Sequence, residues 1–255
     1  MKLIWLSDLH FVTPPATMFG FDPSAHITAA INYINQFHSD ADYCIITGDL
    51  VDDGEKQSYL NLKSLLAPLT MPLFPIVGNH DNRAALREVF APPITDQHDF
   101  VQYTVTTSEG LLIFLDTLIP NQSHGTLDAQ RLQWLSQTLD QFPDQPTYLF
   151  MHHPPIDLGL GVLDEQNFDN KLAFSSLLKE HPHVRHLFAG HVHRPISASL
   201  SGIPISIMRS LLFQASLPYP PWDWDTFEPA DEPPMLGIIL MQQGNVVVHY
   251  HPLFR

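Results

Sequence analysis

The sequence predicts an α/β fold built on a mixed sheet, or on two sheets packed together, and three observations predict it. Short apolar runs rich in Ile, Val, Phe and Tyr stop abruptly at polar clusters, which reads as buried strands meeting turns. Stretches with helical spacing separate those runs, and such alternation builds parallel strands. Further pairs of β-rich runs surround a glycine, the pattern of antiparallel hairpins, which a simple doubly wound sheet lacks.

In chain order, KLIWLS is the first expected strand and runs into Asp8 and His10. Apolar residues at helical spacing predict a helix over 27–37, before the strand DYCIIT and its tail GDLVDDG. A second helix is expected over 55–66, then the strand MPLFPIV, which ends in GNHDN. FVQYTVTTSEGLLIFLDT reads as a hairpin turning near Gly110. A helix over 128–139, the strand PTYLFM ending in HHPP, a helix over 170–179 and the strand VRHLFA ending in GHVHRP follow. Hairpins around Gly202 and around QGN complete the pattern. Residues 1–255 are expected to form one domain, with 214–234, dense in Pro, Trp and acid, as a lid or oligomerisation loop.

Bulk composition narrows the partners. The chain carries 27 acidic and 12 basic residues, a formal charge of −15, so a long nucleic acid is repelled. Cys44 is the only cysteine, which rules out an intrachain disulfide and reads as a small buried hydrophobe. The first apolar run is too short for a signal-peptide core, and no run of 18 apolar residues occurs. The expectation is a cytoplasmic protein with no membrane partner, open to forming a homo-oligomer.

Five strands end in groups that ligate metals, and in open α/β sheets ligands gather beyond the carboxyl ends of strands. Asp8 and His10 are two apart, as are His191 and His193, so each pair shares one side of an extended segment. Asp49 follows Gly48, Asn79 follows Gly78, and His152 ends the fourth such strand. Two carboxylates, four imidazoles and one amide form a nitrogen–oxygen set without thiolate, which suits divalent Fe, Mn, Co or Zn. Seven donors exceed one tetrahedral ion and suit two, provided that one carboxylate bridges. Such a pair, about 3.5–4 Å apart, clamps a displacement at phosphorus.

The segments DLH, GDLVDDG, GNHD, HHPP and GHVH, in this order over Asp8 to His193, resemble the signature of the calcineurin-like metallophosphoesterases. FGFDPSAHI and FMHHPP resemble a narrower branch, the bacterial class III cyclic-nucleotide phosphodiesterases and glycerophosphodiesterases. The resemblance implies a four-layer αββα sandwich of two sheets flanked by helices. It implies one metal at Asp8, His10, Asp49 and His193, and a second at Asp49, Asn79, His152 and His191, bridged by Asp49. It places His80 on the phosphoryl group as a catalytic residue, and Asp81, next in sequence, is expected to orient or charge that imidazole. The implied reaction is hydrolysis of a small phosphodiester by metal-activated hydroxide. The competing expectations are a phosphomonoesterase, which would call for extra Arg or Lys, and a scaffold that has lost its metals, which would show gaps in the ligand set.

Other residues are set aside at this stage. His153 is expected to be structural, because neighbours in an extended segment point opposite ways. Asp52 and Asp53 are expected to shape the loop before the second helix, and Asp116 has no matching position. His181, His183, His186, His249 and His251 are expected at the surface. Arg194 either touches phosphate or points outward. Selectivity is assigned to residues 11–26, including Phe19 to Phe21, and to 214–234, whose Trp222 and Trp224 either stack on a base or an alcohol group, pack on the domain or pair with another subunit.

Overall fold

The computed structural model describes residues 1–94, 96 and 98–253. In chain order its elements are β1 (Lys2–Leu6), α1 (Pro23–Phe37), β2 (Tyr43–Thr47), α2 (Lys56–Leu66), β3 (Leu73–Ile76), α3 (Arg83–Phe90), β4 (Tyr103–Thr107) and β5 (Gly110–Phe114). They continue with α4 (Ala129–Gln141), β6 (Thr147–Phe150), α5 (Val162–Glu165), α6 (Lys171–Glu180), β7 (Val184–Ala189), β8 (Ile196–Leu200), β9 (Ile203–Ile207), β10 (Met235–Gln242) and β11 (Asn245–Pro252). The strands form two mixed sheets, in the orders β11-β10-β1-β2-β3 and β4-β5-β6-β7-β9-β8. All three expected hairpins are present, as β4–β5, β8–β9 and β10–β11.

Local chemistry sets the helix ends. Asp22 accepts hydrogen bonds from the Ser24 and Ala25 amides, with Pro23 in the first turn of α1. Asn82 and Asp128 cap α3 and α4 in the same way. Asp53 accepts from the Glu55 amide and the Ser58 hydroxyl, the loop-shaping role expected of it. Helices α3 and α5 were not anticipated. Both are short, and α5 has only four residues, too few to show a helical period.

The strands alternate their faces between two packing environments. Leu112, Phe114, Phe150 and Phe188 pack with Trp5 and Ile4 between the sheets, while Leu111, Ile113, Leu149 and Leu187 pack outward with Leu135 and Leu139 of α4 and Phe174 of α6. Helices α1 and α2 bury Ile27, Ile31, Tyr59 and Leu62 on the first sheet, which completes the four-layer αββα sandwich. Between the sheets, Tyr103, Phe114, Phe150, Phe188 and Trp5 form a ladder with ring centroids 4.5, 5.2, 4.7 and 5.3 Å apart. Truncating a central rung to alanine costs about 3–5 kcal/mol.

Cys44 is buried as expected, and desolvation pushes its thiol up to about 12. Two histidines expected at the surface are buried instead. His181 is the C-cap residue of α6, its amide donating to Leu178 O, and His186 stacks on Phe188 at 4.4 Å and shares a hydrogen bond with the Ser206 hydroxyl at 2.9 Å. The charged neighbourhood in sequence concealed that His186 occupies an inward position of β7. No helix among the described residues is long and apolar enough to cross a membrane.

Candidate metal centre

Strands β1, β2, β3, β6 and β7 release their chains on the same side of the sandwich, and the turns stay paired beyond the strands. Asp8 N–H donates to Gly48 O and His10 N–H to Asp49 O, at 3.1 and 3.0 Å. Five of the seven predicted donors, Asp8, His10, Asp49, His191 and His193, have φ between 41° and 72°. Non-glycine residues enter this left-handed region rarely and at a cost, and such strain collects at functional sites. Glycine permits the crowding. A Cβ on Gly78 would lie 2.2 Å from Asp49 Oδ1, and one on Gly48 would lie 2.5 Å from His152 Nδ1.

The donors fall into two groups that meet at a single oxygen. His10 Nε2 and His193 Nε2 are 3.1 Å apart, with Asp8 Oδ1 3.4 Å from His193 Nε2 and Asp49 Oδ2 3.6 Å from His10 Nε2. Asn79 Oδ1 is 3.1 Å from both His152 Nε2 and His191 Nδ1, and the same Asp49 Oδ2 is 3.3 Å from His152 Nε2. Donors about 2.0–2.1 Å from an ion at tetrahedral angles stand about 3.3 Å apart, the spacing found here.

Each imidazole is locked by its other nitrogen. His10 Nδ1–H donates to Asp52 Oδ1, His152 Nδ1–H to Thr47 O, His193 Nδ1–H to Phe213 O and His191 Nε2–H to Gln166 O. Carbonyl oxygens only accept, so in the neutral rings the nitrogens facing the site carry lone pairs. His10 and His193 thus aim two lone pairs at each other across 3.1 Å, an arrangement that calls for a cation between them. The residues present fit a pair of divalent ions.

Charge supports the fit. Burial raises the Asp49 carboxyl, but His152, His80 and His10 outweigh it and hold the group well below the usual range. Burial pulls His152 down, yet Asp49 and Asp8 carry it up to about 9, and a field that favours a proton on Nε2 favours a metal in its place. Burial and the neighbouring His152 push His191 down to about 3, which keeps it a neutral ligand.

A model of the calcineurin-like phosphoesterase family matches residues 1–195. The chain belongs to this family. Over 253 residues it is 36% identical to a probable cyclic nucleotide phosphodiesterase of Rhodopseudomonas palustris, covering 98% of this chain and 91% of the relative. It is 31% identical over 197 residues to a probable glycerophosphodiester phosphodiesterase of Arcobacter nitrofigilis, covering 76% of this chain and 72% of the relative. The fold resembles that of a dimetal phosphatase from Danio rerio, with a TM-score of 0.76 at 12% identity, covering 99% and 96% of the two chains. As a calcineurin-like phosphoesterase, the chain is a metal-dependent phosphoric ester hydrolase.

The remaining sequence expectations divide within this phosphoesterase site. All seven predicted donors converge, as does His80, whose amide donates to Asp49 Oδ1 at 2.9 Å. The expectation for Asp81 needs correction. Its carboxylate accepts from the Gly78 amide at 2.8 Å, the Leu50 amide at 3.1 Å and the Tyr59 hydroxyl at 2.6 Å. It therefore staples the turn of Asp49 to the turn of Asn79. Burial and the Asp49 charge push it up to about 6, against the pull of those donors.

The partner of His80 is Asp52, whose Oδ1 is 3.0 Å from His80 Nδ1 and which also holds His10. Adjacency in sequence suggested Asp81, but the turn directs that side chain inward, and nothing local shows a carboxylate reaching across 28 residues. Desolvation pulls His80 down, while Asp49 and Asp52 carry it up to about 10. Divalent ions on Asp49 would oppose that rise. His153 does not point away as its place beside His152 suggested: its ring lies 4.5 Å from that of His191, and its nitrogens are held by the Thr117 hydroxyl at 2.7 Å and Ser123 O at 3.2 Å. Arg194 turns away from the site to Ala215 O and to Glu232, 3.3 Å away.

Proposed function

We propose that the protein is a dinuclear metal phosphodiesterase that hydrolyses small phosphodiesters, a cyclic nucleotide or a glycerophosphodiester. One ion would be held by Asp8, His10, Asp49 and His193, and the other by Asp49, Asn79, His152 and His191. The observation that carries this reading is the shared Asp49 Oδ2, which stands 3.6 Å from His10 Nε2 and 3.3 Å from His152 Nε2. Fe, Mn, Co and Zn all suit such a set of nitrogen and oxygen donors. When bound, two such ions supply a water-derived nucleophile near neutral pH and neutralise charge developing on phosphoryl oxygens.

The chain's own groups do the rest. His80 Nδ1 is engaged by Asp52, so Nε2 is the atom left to face the cavity that His80 lines. A proton held there hydrogen-bonds a phosphoryl oxygen and steadies its growing charge, or passes to the departing alkoxide. Among the described residues the cavity lining contains no Lys or Arg. That favours a diester monoanion over a monoester dianion, which usually meets extra cations.

The deciding experiment is a turnover panel on metal-stripped protein reloaded with Mn, Fe, Co or Zn. The substrates are 3′,5′-cyclic AMP, a glycerophosphodiester and a phosphomonoester. Diester turnover well above monoester turnover is expected. Equal rates on both classes would overturn the diester assignment.

A further inference from the structure

The cavity beside the metal ligands, about 420 Å³, is walled on one side by aromatic rings. The wall begins at the ligands themselves. Phe213 lies 4.4 Å from the His193 ring and 5.5 Å from the His10 ring. From Phe213 it runs to Phe19 at 4.9 Å, then to Phe227, 5.7 Å from Phe19, and to Trp224, 5.7 Å from Phe227. Trp222 braces it from behind, 5.0 Å from Phe227, with its indole N–H donating to Ser216 O at 3.1 Å.

Two of these rings are held where folding gains little from them. Phe19 is 55% exposed and Trp224 51% exposed, so neither contributes the burial that normally justifies a large apolar side chain. Phe19 also sits in a strained position. Met18 and Phe21 exchange backbone hydrogen bonds at 3.0 and 2.8 Å, which leaves Phe19 and Gly20 as the two central residues of a tight turn. Both have positive φ, 48° and 79°. Such turns favour Asn or Gly in the first of these positions, and a bulky aromatic there is an outlier. The turn presents the Phe19 ring to the cavity mouth.

The lining also includes Ser123 and Gln166. The Gln166 backbone carbonyl accepts from His191 Nε2 at 2.9 Å, which fixes this residue at the cavity edge.

Resting on the reading that this is a phosphodiesterase, we infer that the Phe213–Phe19–Phe227–Trp224 ledge selects diesters carrying a nucleoside over those carrying glycerol. A flat heterocycle stacks on such rings, as bases do on the aromatic platforms of nucleic-acid-binding proteins, and a glycerol group has no face to offer. The ring would lie on the ledge with its phosphate at the metal ligands. The Gln166 carboxamide would meet its polar edge, which distinguishes a base from a plain phenyl group.

The test compares kcat/KM for 3′,5′-cyclic AMP and glycerophosphoethanolamine in the parent, Phe19→Leu, Phe19→Tyr and Trp224→Leu proteins. Both target side chains are exposed, so these changes leave the core intact. The parent should prefer the nucleotide by at least about tenfold. Phe19→Leu and Trp224→Leu should each reduce that ratio by about tenfold, in line with the loss of one stacking contact, and Phe19→Tyr should preserve it.

A second readout needs no turnover. Saturation-transfer NMR on metal-free protein with adenosine should show transfer to the base protons in the parent and a marked loss in Phe19→Leu. An unchanged ratio in both leucine variants, or no transfer to the base protons, overturns the ledge while leaving the phosphodiesterase reading intact. Turnover of neither diester with any metal defeats the phosphodiesterase reading, and adenosine binding still decides the ledge.

Discussion

At the strand ends, every ring nitrogen facing the metal site belongs to an imidazole whose other nitrogen is tied to an acceptor. Across the same cavity, Phe19 and Trp224 stand half in solvent on loops. One region is defined by hydrogen bonds and strained backbone on rigid strands, the other by ring contacts among side chains of residues 19 to 227. A shift of an ångström ruins metal geometry, so its donors must be over-determined. A stacking face tolerates small displacement, so loops can carry it, and selectivity can change without disturbing the chemistry.

The largest break in this comparison comes from its shared oxygen. Asp49→Ala removes the donor common to both groups, so activity should fall by more than about 10³-fold. Metal analysis should find at most one tightly held ion, and full retention of two ions would refute the bridging role. His80→Ala acts between the two regions. It should lower kcat by about 10²–10³-fold while metal content stays at the parent level, and turnover within twofold of the parent would remove His80 from the chemistry.

Asp52→Asn sharpens the contrast between a ligand and its support. It should cost about 10–100-fold in metal affinity or kcat. Asp81→Asn should instead lower the melting temperature, because it disturbs a buried staple between two turns. If the two variants behaved alike, the division between Asp52 and Asp81 would fail.

The smallest effect separates histidines at the strand tips from one in the body of the sheet. Desolvation pushes His186 down to about 4 from an ordinary 6.5. Between those values the unfolded chain binds a proton that the folded chain refuses, so this group's contribution to stability falls as the pH drops from about 6.5 towards 4. The full effect approaches about 3 kcal/mol. His186→Gln should therefore flatten the dependence of melting temperature on pH across that window, and an unchanged slope would show that His186 takes up its proton in the fold.

Much of the architecture and the convergence of the candidate donors can be read in one dimension. Strand, glycine and ligand recur together because a buried strand must end at a turn, and only glycine tolerates a neighbouring donor at the distances seen for Gly48 and Gly78. The hairpins were equally legible, since their turns are local. Helix α3 was missed because its eight residues follow directly on the GNHDN turn and read as part of it.

By itself the sequence determined the strand tips, their order, the donor types that they carry and the repulsion of polyanions, all properties of neighbouring residues or of composition. Only the tertiary structure decided that Asp52 rather than Asp81 holds His80, that His186 faces inward, and that Phe213 and Phe227 join Phe19 and Trp224 at the cavity. Each of those facts is a contact between segments distant in the chain. Chain direction, sheet packing and loop closure set such contacts, and no local pattern encodes them.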